Sequence, residues 1–296
     1  MTERGVVLQG TGGVWSVRTS DGATRDVSLR GRLKISADKL VVGDEVVLED
    51  AGGAWAIAEI LPRRSVLARR SPGGSYGERI VAANVDQVVV VFAAASPEPH
   101  PRMLDRFLVI AEANELQAHI VVNKVDLVDP AAARARFADY PVAGYPMHFT
   151  SIVTGVGLDE LAVELKGRIS ALAGPSGVGK SSLLNALYPG LNLRVGTISP
   201  SVNKGRHTTV GALLHPLPDG GYVADTPGLR EVGIWGLSPD ALDRCFPEFV
   251  AYLGHCRFAD CHHVVEPDCA VRAAVAAREL SATRYDSYVR LRQELQ

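Results

Sequence analysis

The sequence predicts a multidomain chain in three parts: a small N-terminal β-barrel, a central α/β domain whose elements run in permuted order, and a C-terminal α-helical region. Three observations carry this. Short alternating apolar runs crowd the first sixty-odd positions. Two phosphate- and base-type signatures, Asn123-Lys124-Val125-Asp126 and Gly174-Pro175-Ser176-Gly177-Val178-Gly179-Lys180-Ser181, follow each other in the reverse of their usual order. Three cysteines and several histidines cluster near the C-terminus.

The barrel rests on Val6–Leu8, Val14–Val17, Thr24–Val27, Glu45–Leu48 and Trp55–Ile57, separated by Asp21-Gly22, Gly43-Asp44 and Gly52-Gly53. Alternation between turn signals reads as strands, and five short strands suit a closed barrel of the oligonucleotide-binding kind. Trp15 and Trp55 read as core residues rather than stacking platforms. Arg25, Arg30, Arg32 and Lys34 form one basic stretch. Arg63, Arg64, Arg69, Arg70 and Arg79 form another, balanced only by Glu78. Such stretches are commonly solvated surface and are also compatible with RNA contact. A basic linker is expected from Arg63-Arg64 to Ser71-Pro72-Gly73-Gly74.

The α/β part then predicts a strand over Val85–Ala94, a helix over Met103–Leu116 and a buried strand over Ala118–Val122. The last delivers Asn123-Lys124-Val125-Asp126. Asp126 can accept two hydrogen bonds from guanine N1–H and the exocyclic amino group, and adenine offers neither donor. Asn123 can bond the base edge, and the Lys124 stem can cover the base plane. Thr150-Ser151, after Pro146-Met147-His148-Phe149, are placed to supply a backbone N–H to the guanine carbonyl. A helix is expected over Leu158–Lys166.

Strand-like Arg168–Ala173 leads into Gly174–Ser181, a full match to the P-loop pattern Gly-x-x-x-x-Gly-Lys-Ser/Thr, and helix-like Ser181–Leu187 follows. The glycines let backbone N–H groups turn inward around phosphate oxygens, and the new helix adds the positive end of its dipole. Gly174, Pro175, Ser176, Gly177, Val178, Gly179, Lys180, Ser181 and Ser182 are therefore nucleotide contacts. Lys180 reaches the β- and γ-phosphates, and Ser181 binds Mg²⁺. Downstream, Gly205-Arg206-His207-Thr208-Thr209 suits a switch loop in which Thr208 or Thr209 completes the Mg²⁺ shell. Gly221–Ala224 reads as a strand that ends at Asp225-Thr226-Pro227-Gly228. Asp225 is expected to hold Mg²⁺ through water, and the Gly228 N–H to sense the γ-phosphate. Many GTPases place a glutamine just after that glycine. Here the position holds Leu229, so His207 is the expected water-positioning, catalytic residue beside Lys180. Because both motifs need the same neighbours in space, their order implies a circularly permuted GTP-binding domain, which surface termini tolerate.

Leu237–Phe249 and Cys269–Gln296 read as helices. Between them, Cys256, Cys261, His263 and Cys269 offer three thiolates and an imidazole, a closed set for one structural Zn²⁺. His262, His255 and Cys245 are rivals, and Cys245 reads as a packed thiol. The 296 residues carry four cysteines and a net charge of −2. That usage fits a reducing compartment and excludes a disulfide scaffold and a global nucleic-acid charge signature. No apolar run reaches the ~20 residues that span a bilayer, and the N-terminus lacks a signal-peptide pattern. A cytoplasmic protein without a membrane partner is expected.

The series Asn-Lys-Val-Asp, Gly-Pro-Ser-Gly-Val-Gly-Lys-Ser-Ser, Gly-Arg-His-Thr-Thr, Asp-Thr-Pro-Gly and Cys-x4-Cys-x-His-x5-Cys closely resembles the RsgA family of circularly permuted GTPases. The resemblance spans nearly the whole chain. It implies a barrel over residues 1–68, a permuted G domain over 69–235 and a zinc-bearing domain over 236–296. It also implies binding to the small ribosomal subunit and its rRNA, GTP hydrolysis stimulated by that subunit late in its maturation, and a monomer off the ribosome. The choice of His263 over His262 rests partly on it. The alternative is a zinc-stabilised RNA-binding module that uses GTP mainly as a structural or switch ligand.

Overall fold

The computed structural model describes residues 1–31, 33, 39–50, 52–70, 78–193, 212–225 and 237–296. His207, Thr208, Thr209, Gly228 and the side chain of Asp225 lie outside the described parts. So do Arg32, Lys34 and the side chains of Arg69, Arg70, Glu78 and Arg79.

The barrel forms as expected from β1 (Thr2–Thr11), β2 (Val14–Thr19), β3 (Thr24–Leu29), β4 (Glu45–Asp50) and β5 (Trp55–Ile60). They close in the order β1-β2-β3-β5-β4, and β1 pairs back onto β4. Alternate residues Val7, Val17, Val27, Val46, Leu48 and Ile57 fill the interior, with Trp15 and Trp55 packed against them. The guanidinium of Arg25 lies 4.9 Å from the Trp55 ring centroid. The described residues of the basic stretches are paired internally. Arg25 meets Glu3 and Asp21, Arg30 meets Glu49, and Arg64 meets Asp86. Arg63 grips the fully buried Asp44 through two bonds of 2.7 and 3.0 Å.

The expected linker is instead a hairpin of β6 (Val66–Arg70) and β7 (Glu78–Ala83), in antiparallel register from Val66↔Ala83. Apolar residues decide this, because Leu67 and Ala82 are fully buried in the core of the central domain. The hairpin also ties the barrel down. Ala83 N donates to Val42 O, and the buried Asn84 amide donates to Gly43 O and accepts from Arg64 N.

The central sheet contains β8 (Gln87–Ala93), β9 (Gln117–Asn123), β10 (Met147–Phe149), β11 (Ile169–Ala173), β12 (Leu213–Pro216) and β13 (Tyr222–Asp225). Its order is β10-β9-β8-β11-β13-β12, parallel except for the edge strand β12. β8 is buried along its whole length, as parallel strands covered on both faces require. One face, with Val88, Val90, Phe92, Ile120 and Val122, packs under α1 (Pro101–Ala113), α2 (Pro130–Arg136) and α3 (Asp139–Val142). The other, with Val89, Val91 and Val121, packs under α4 (Leu158–Leu165) and α5 (Lys180–Leu187).

In the C-terminal region the expected helix over Leu237–Phe249 does not form. Short 3-10 turns at Pro239–Ala241, Asp243–Cys245 and Pro247–Tyr252 replace it. Proline 247 pushes Phe246 out of helical conformation, to φ −117° and ψ 90°. The helix expected over Cys269–Gln296 splits into α6 (Ala270–Ala276) and α7 (Ala282–Leu295). Arg278 at φ +64° ends the first, and the Ser281 hydroxyl accepts from Arg284 N to start the second. Phe246, Phe249, Tyr288 and Leu291 form the core here, with Val109 of α1 reaching into it. Arg284 crosses the junction. It is 1% exposed, pairs with Asp105 of α1 at 2.6 Å and with Glu248 at 2.7 and 3.0 Å, and stacks on Phe246 at 4.8 Å.

Candidate nucleotide site and metal centre

The C-terminal ends of β8, β9, β10, β11 and β13 share one edge of the sheet, where open α/β folds bind ligands. The phosphate loop crosses this edge between β11 and α5. Gly174 adopts φ +128°, and a Cβ there would stand 2.1 Å from Val91 O. Gly179 adopts φ +94°, and its Cβ would stand 2.7 Å from Asn123 Nδ2. Neither position can carry a side chain without moving backbone or the base-reading asparagine. Buried Val178 anchors the loop in the core, while Ser176 and Gly177 are exposed. Ser181 and Ser182 sit half-buried in the first turn of α5, and Lys180 Nζ donates to Gly174 O and Pro175 O at 2.6 and 2.7 Å.

The Asn123–Asp126 segment is built onto that loop. Asn123, 1% exposed, donates from Nδ2 to Val178 O at 2.9 Å and accepts at Oδ1 from Thr150 Oγ1. Lys124 takes the left-handed conformation at φ +61° and donates through Nζ to Gly177 O at 2.7 Å and to Ser96 O. Asp126 Oδ1 accepts from the Ser151 hydroxyl at 2.5 Å, and Ser151 Oγ accepts in turn from Val153 N and Thr154 N. The sequence places the Thr150 and Ser151 amides against guanine. In the fold they already donate to Val122 O and Val156 O, because Thr150 continues the strand pairing and Ser151 closes the next turn. Ser151 instead meets the site through its hydroxyl, by aiming Asp126.

Asp225 ends β13 in register with Leu172, which puts its backbone beside the start of the phosphate loop. The contributions of Ser96, the Thr150 hydroxyl and the Val178 carbonyl are not legible in the sequence. They act through backbone atoms or a common residue type, and no spacing pattern marks them.

In the C-terminal region Cys256, Cys261, His263 and Cys269 each offer one ligand atom within 4.8 Å of the other three. Cys256 Sγ and Cys269 Sγ stand 3.8 Å apart, and His263 Nδ1 lies 3.4 Å from both. Zinc–sulfur bonds of about 2.3 Å in a tetrahedron set sulfurs about 3.8 Å apart, so this donor set fits Zn²⁺. His263 Nε2 faces Asp243 Oδ2 at 3.6 Å, the carboxylate partner that fixes a ligating imidazole. His262 points away and is exposed, His255 is exposed, and neither joins the cluster. Cys245 is packed, donates to Ala241 O, and burial pushes its thiol up to about 12. The loop is held by Glu266. Burial opposes its ionisation, but backbone N–H donors from His262, Val264 and Val265 outweigh that and bring the carboxyl to about 2. Tyr285 and Tyr288 of α7 donate to His263 O and His262 O at 2.7 and 2.8 Å.

Known proteins resemble this chain in sequence and fold. The family described as RsgA GTPase matches residues 60–235. The small ribosomal subunit biogenesis GTPase RsgA of Gemmatimonas aurantiaca is 64% identical over 297 residues, which cover 98% of this chain and 97% of that protein. The crystal structure of YjeQ from Thermotoga maritima has a TM-score of 0.84 at 38% identity, covering 100% of this chain and 99% of that one. YloQ, a circularly permuted GTPase, gives 0.78 at 30% identity, covering 100% and 95%. The family model covers more than half of the chain and the likeness to these proteins runs its whole length, and the chain belongs to the RsgA GTPase family.

Proposed function

We propose that this chain is a GTPase that binds the small ribosomal subunit and its rRNA and acts late in that subunit's maturation, hydrolysing GTP to GDP and phosphate to time its own release. The observation that carries the reading is the bond from Asn123 Nδ2 to Val178 O. It joins a guanine-type pocket to a phosphate loop although the two lie in permuted order. Support for the partner comes from the relatives named as small ribosomal subunit biogenesis GTPases.

In this reading Asp126, aimed by Ser151, accepts from guanine, and Lys124 covers the base. The amides of Gly174 to Ser182 cradle the phosphates. Lys180 moves from its loop carbonyls onto the β- and γ-phosphates, where its charge offsets that developing on the transferred phosphoryl group. Ser181, Asp225 and Thr208 or Thr209 hold Mg²⁺, which supplies further charge neutralisation. Gly228 senses the γ-phosphate and His207 orients the attacking water. Cys256, Cys261, His263 and Cys269 hold one Zn²⁺ that stiffens the C-terminal region. The 1–68 bound expected for the barrel would cut β6, so the central domain begins with the β6–β7 hairpin at Val66, the zinc-bearing region follows from 236, and the protein works in the cytoplasm as a monomer off the ribosome. Among the described residues no helix is long and apolar enough to cross a membrane.

The test is multiple-turnover phosphate release with and without separated ribosomal subunits. Slow release alone, strong stimulation by small subunits and little by large ones is expected. His207→Ala should keep GTP affinity and lose the stimulated turnover. Turnover indifferent to small subunits would favour a module that uses GTP only as a switch ligand.

A further inference from the structure

A second group of metal-type side chains lies on the central sheet, away from both sites above. His119 is on β9, His148 on the adjacent parallel strand β10, and Glu164 on α4, which covers them. The register Met147↔Ile120 and His148↔Val121 turns both histidines to the face packed under α4. His148 Nε2 stands 3.5 Å from His119 Nδ1, and Glu164 Oε1 stands 3.4 Å from His119 Nε2. Each of the three offers a donor atom within 4.8 Å of the other two.

The chemistry of the group fits a cation. Two imidazole nitrogens bound to one metal at about 2.1 Å sit about 3.4 Å apart in a tetrahedron, close to the 3.5 Å between His119 Nδ1 and His148 Nε2; a shared ion would take His119 through Nδ1, and Glu164, which faces Nε2 of the same ring, would have to turn its carboxylate to join it. Burial drives both histidines toward the neutral, ligating form. His119 falls to about 4, and His148 falls below the ordinary histidine value. Glu164 Oε1 is buried without a well-aligned hydrogen-bond donor, with His119 and Arg168 as its ion-pair neighbours. Arg168 competes with a cation for Glu164, but it is 43% exposed and also bonds Gln87 Oε1 at 2.9 Å, so it can yield the carboxylate and keep a partner. Glu160, exposed one helical turn before Glu164, acts electrostatically on His148 from the open side.

We propose that His119, His148 and Glu164 form a second metal site, for a divalent transition metal such as zinc, independent of the thiolate cluster. Imidazole and carboxylate donors favour the later first-row ions over Mg²⁺ and Ca²⁺. Three protein ligands leave room for water, unlike the closed set at Cys256, Cys261, His263 and Cys269. A bound cation cross-links β10 and α4 to β9. That strand ends at Asn123, roughly 13 Å along it from His119 at about 3.3 Å per residue. The site therefore braces the strand that carries the base-reading motif.

The experiment is a titration of the full-length protein, purified with about one zinc per chain, with further Zn²⁺ by calorimetry and with Co²⁺ by visible absorption. A second equivalent is expected. With Co²⁺ it should give d–d bands without a thiolate charge-transfer band. His148→Gln and Glu164→Gln should weaken that equivalent by at least about tenfold, and Arg168→Gln should tighten it. Ring ¹⁵N spectra of the unmutated protein give the same answer without substitutions, because His119 and His148 must both shift as the second equivalent is added. Saturation at one equivalent, or a second equivalent that leaves those two rings unmoved, would overturn the site.

Discussion

Asn123 and Val178 are 55 positions apart and meet at 2.9 Å, whereas Cys256 and Cys269 are 13 apart and their sulfurs stand 3.8 Å from each other. The first pair is brought together by a parallel sheet whose strands are buried on both faces. The second lies in a loop between 3-10 turns and α6, where little regular structure fixes the backbone. In the nucleotide site, packing positions the ligand groups before any ligand arrives. In the C-terminal region, the loop rests on the Glu266 bonds and two tyrosine hydroxyls, and a metal on the four clustered ligands would add the main constraint. Loss of ligand should therefore have opposite consequences in the two places.

The largest expected effect is at the cluster. Stripping zinc with a strong chelator should unfold the C-terminal region, since structural zinc contributes about 10–16 kcal/mol of binding free energy in small domains. Hydrogen exchange should rise sharply across residues 255–295 and stay low along β8, β9 and β11. Equal protection before and after chelation would erase the contrast. Next comes Arg284, which joins the two regions. Replacing it with leucine leaves Asp105 and Glu248 buried without their cation, a loss of about 3–5 kcal/mol measured by urea unfolding. A loss under about 1 kcal/mol would show that the apolar contacts between α1 and α7 suffice.

A smaller effect, confined to ligand affinity, is expected at Asp126. Asp126→Asn should weaken GTP binding by about 100-fold and admit xanthine nucleotide, with the melting temperature hardly changed. A large fall in stability would mean that the Ser151–Asp126 bond holds the fold rather than preparing the pocket. The smallest effect is on pH dependence. Burial, then His148 and Arg168, depress the His119 pKa from 6.5 to about 4. A histidine held neutral in the fold stabilises above its unfolded value and loses that contribution as pH falls from about 6.5 toward 4. Glu164 and the exposed Glu160 face the same pair and soften the loss. His119→Gln should flatten the acid side of the stability curve measured by thermal unfolding, and an unchanged slope would clear His119 of any part in it.

Legibility in the sequence follows the same division. The permutation could be read because Asn123–Asp126 and Gly174–Ser181 are contiguous motifs whose chemistry demands proximity. The four zinc-type ligands could be read because thiolates close in sequence have few other uses in such a setting. The β6–β7 hairpin was hidden because its arginines resemble a solvated linker, and its buried contacts, Leu67 and Ala82, are made with distant strands. The helix expected at Leu237–Phe249 does not form because Pro239 and Pro247 each start a new 3-10 turn, which apolar periodicity alone does not reveal. The Arg284 clamp leaves no trace in sequence, since an arginine in a helix is usually at the surface and its partners lie 36 and 179 positions away.

The order of strands has a mechanical consequence. The chain enters the sheet at the start of β8 and leaves it at the end of β13, and these are the two neighbours of β11, which carries the phosphate loop. The barrel is tethered at the first point and the C-terminal region at the second. All three strands run parallel, so a pull between the two appended parts loads their ladders in shear, with every inter-strand bond sharing the tension at once. Traction along the chain between a grip on the barrel and a grip on the C-terminal region therefore loads the ladders on both sides of β11, the strand that leads into Gly174, while the packing of α7 on α1 and the Arg284 clamp carry a second share.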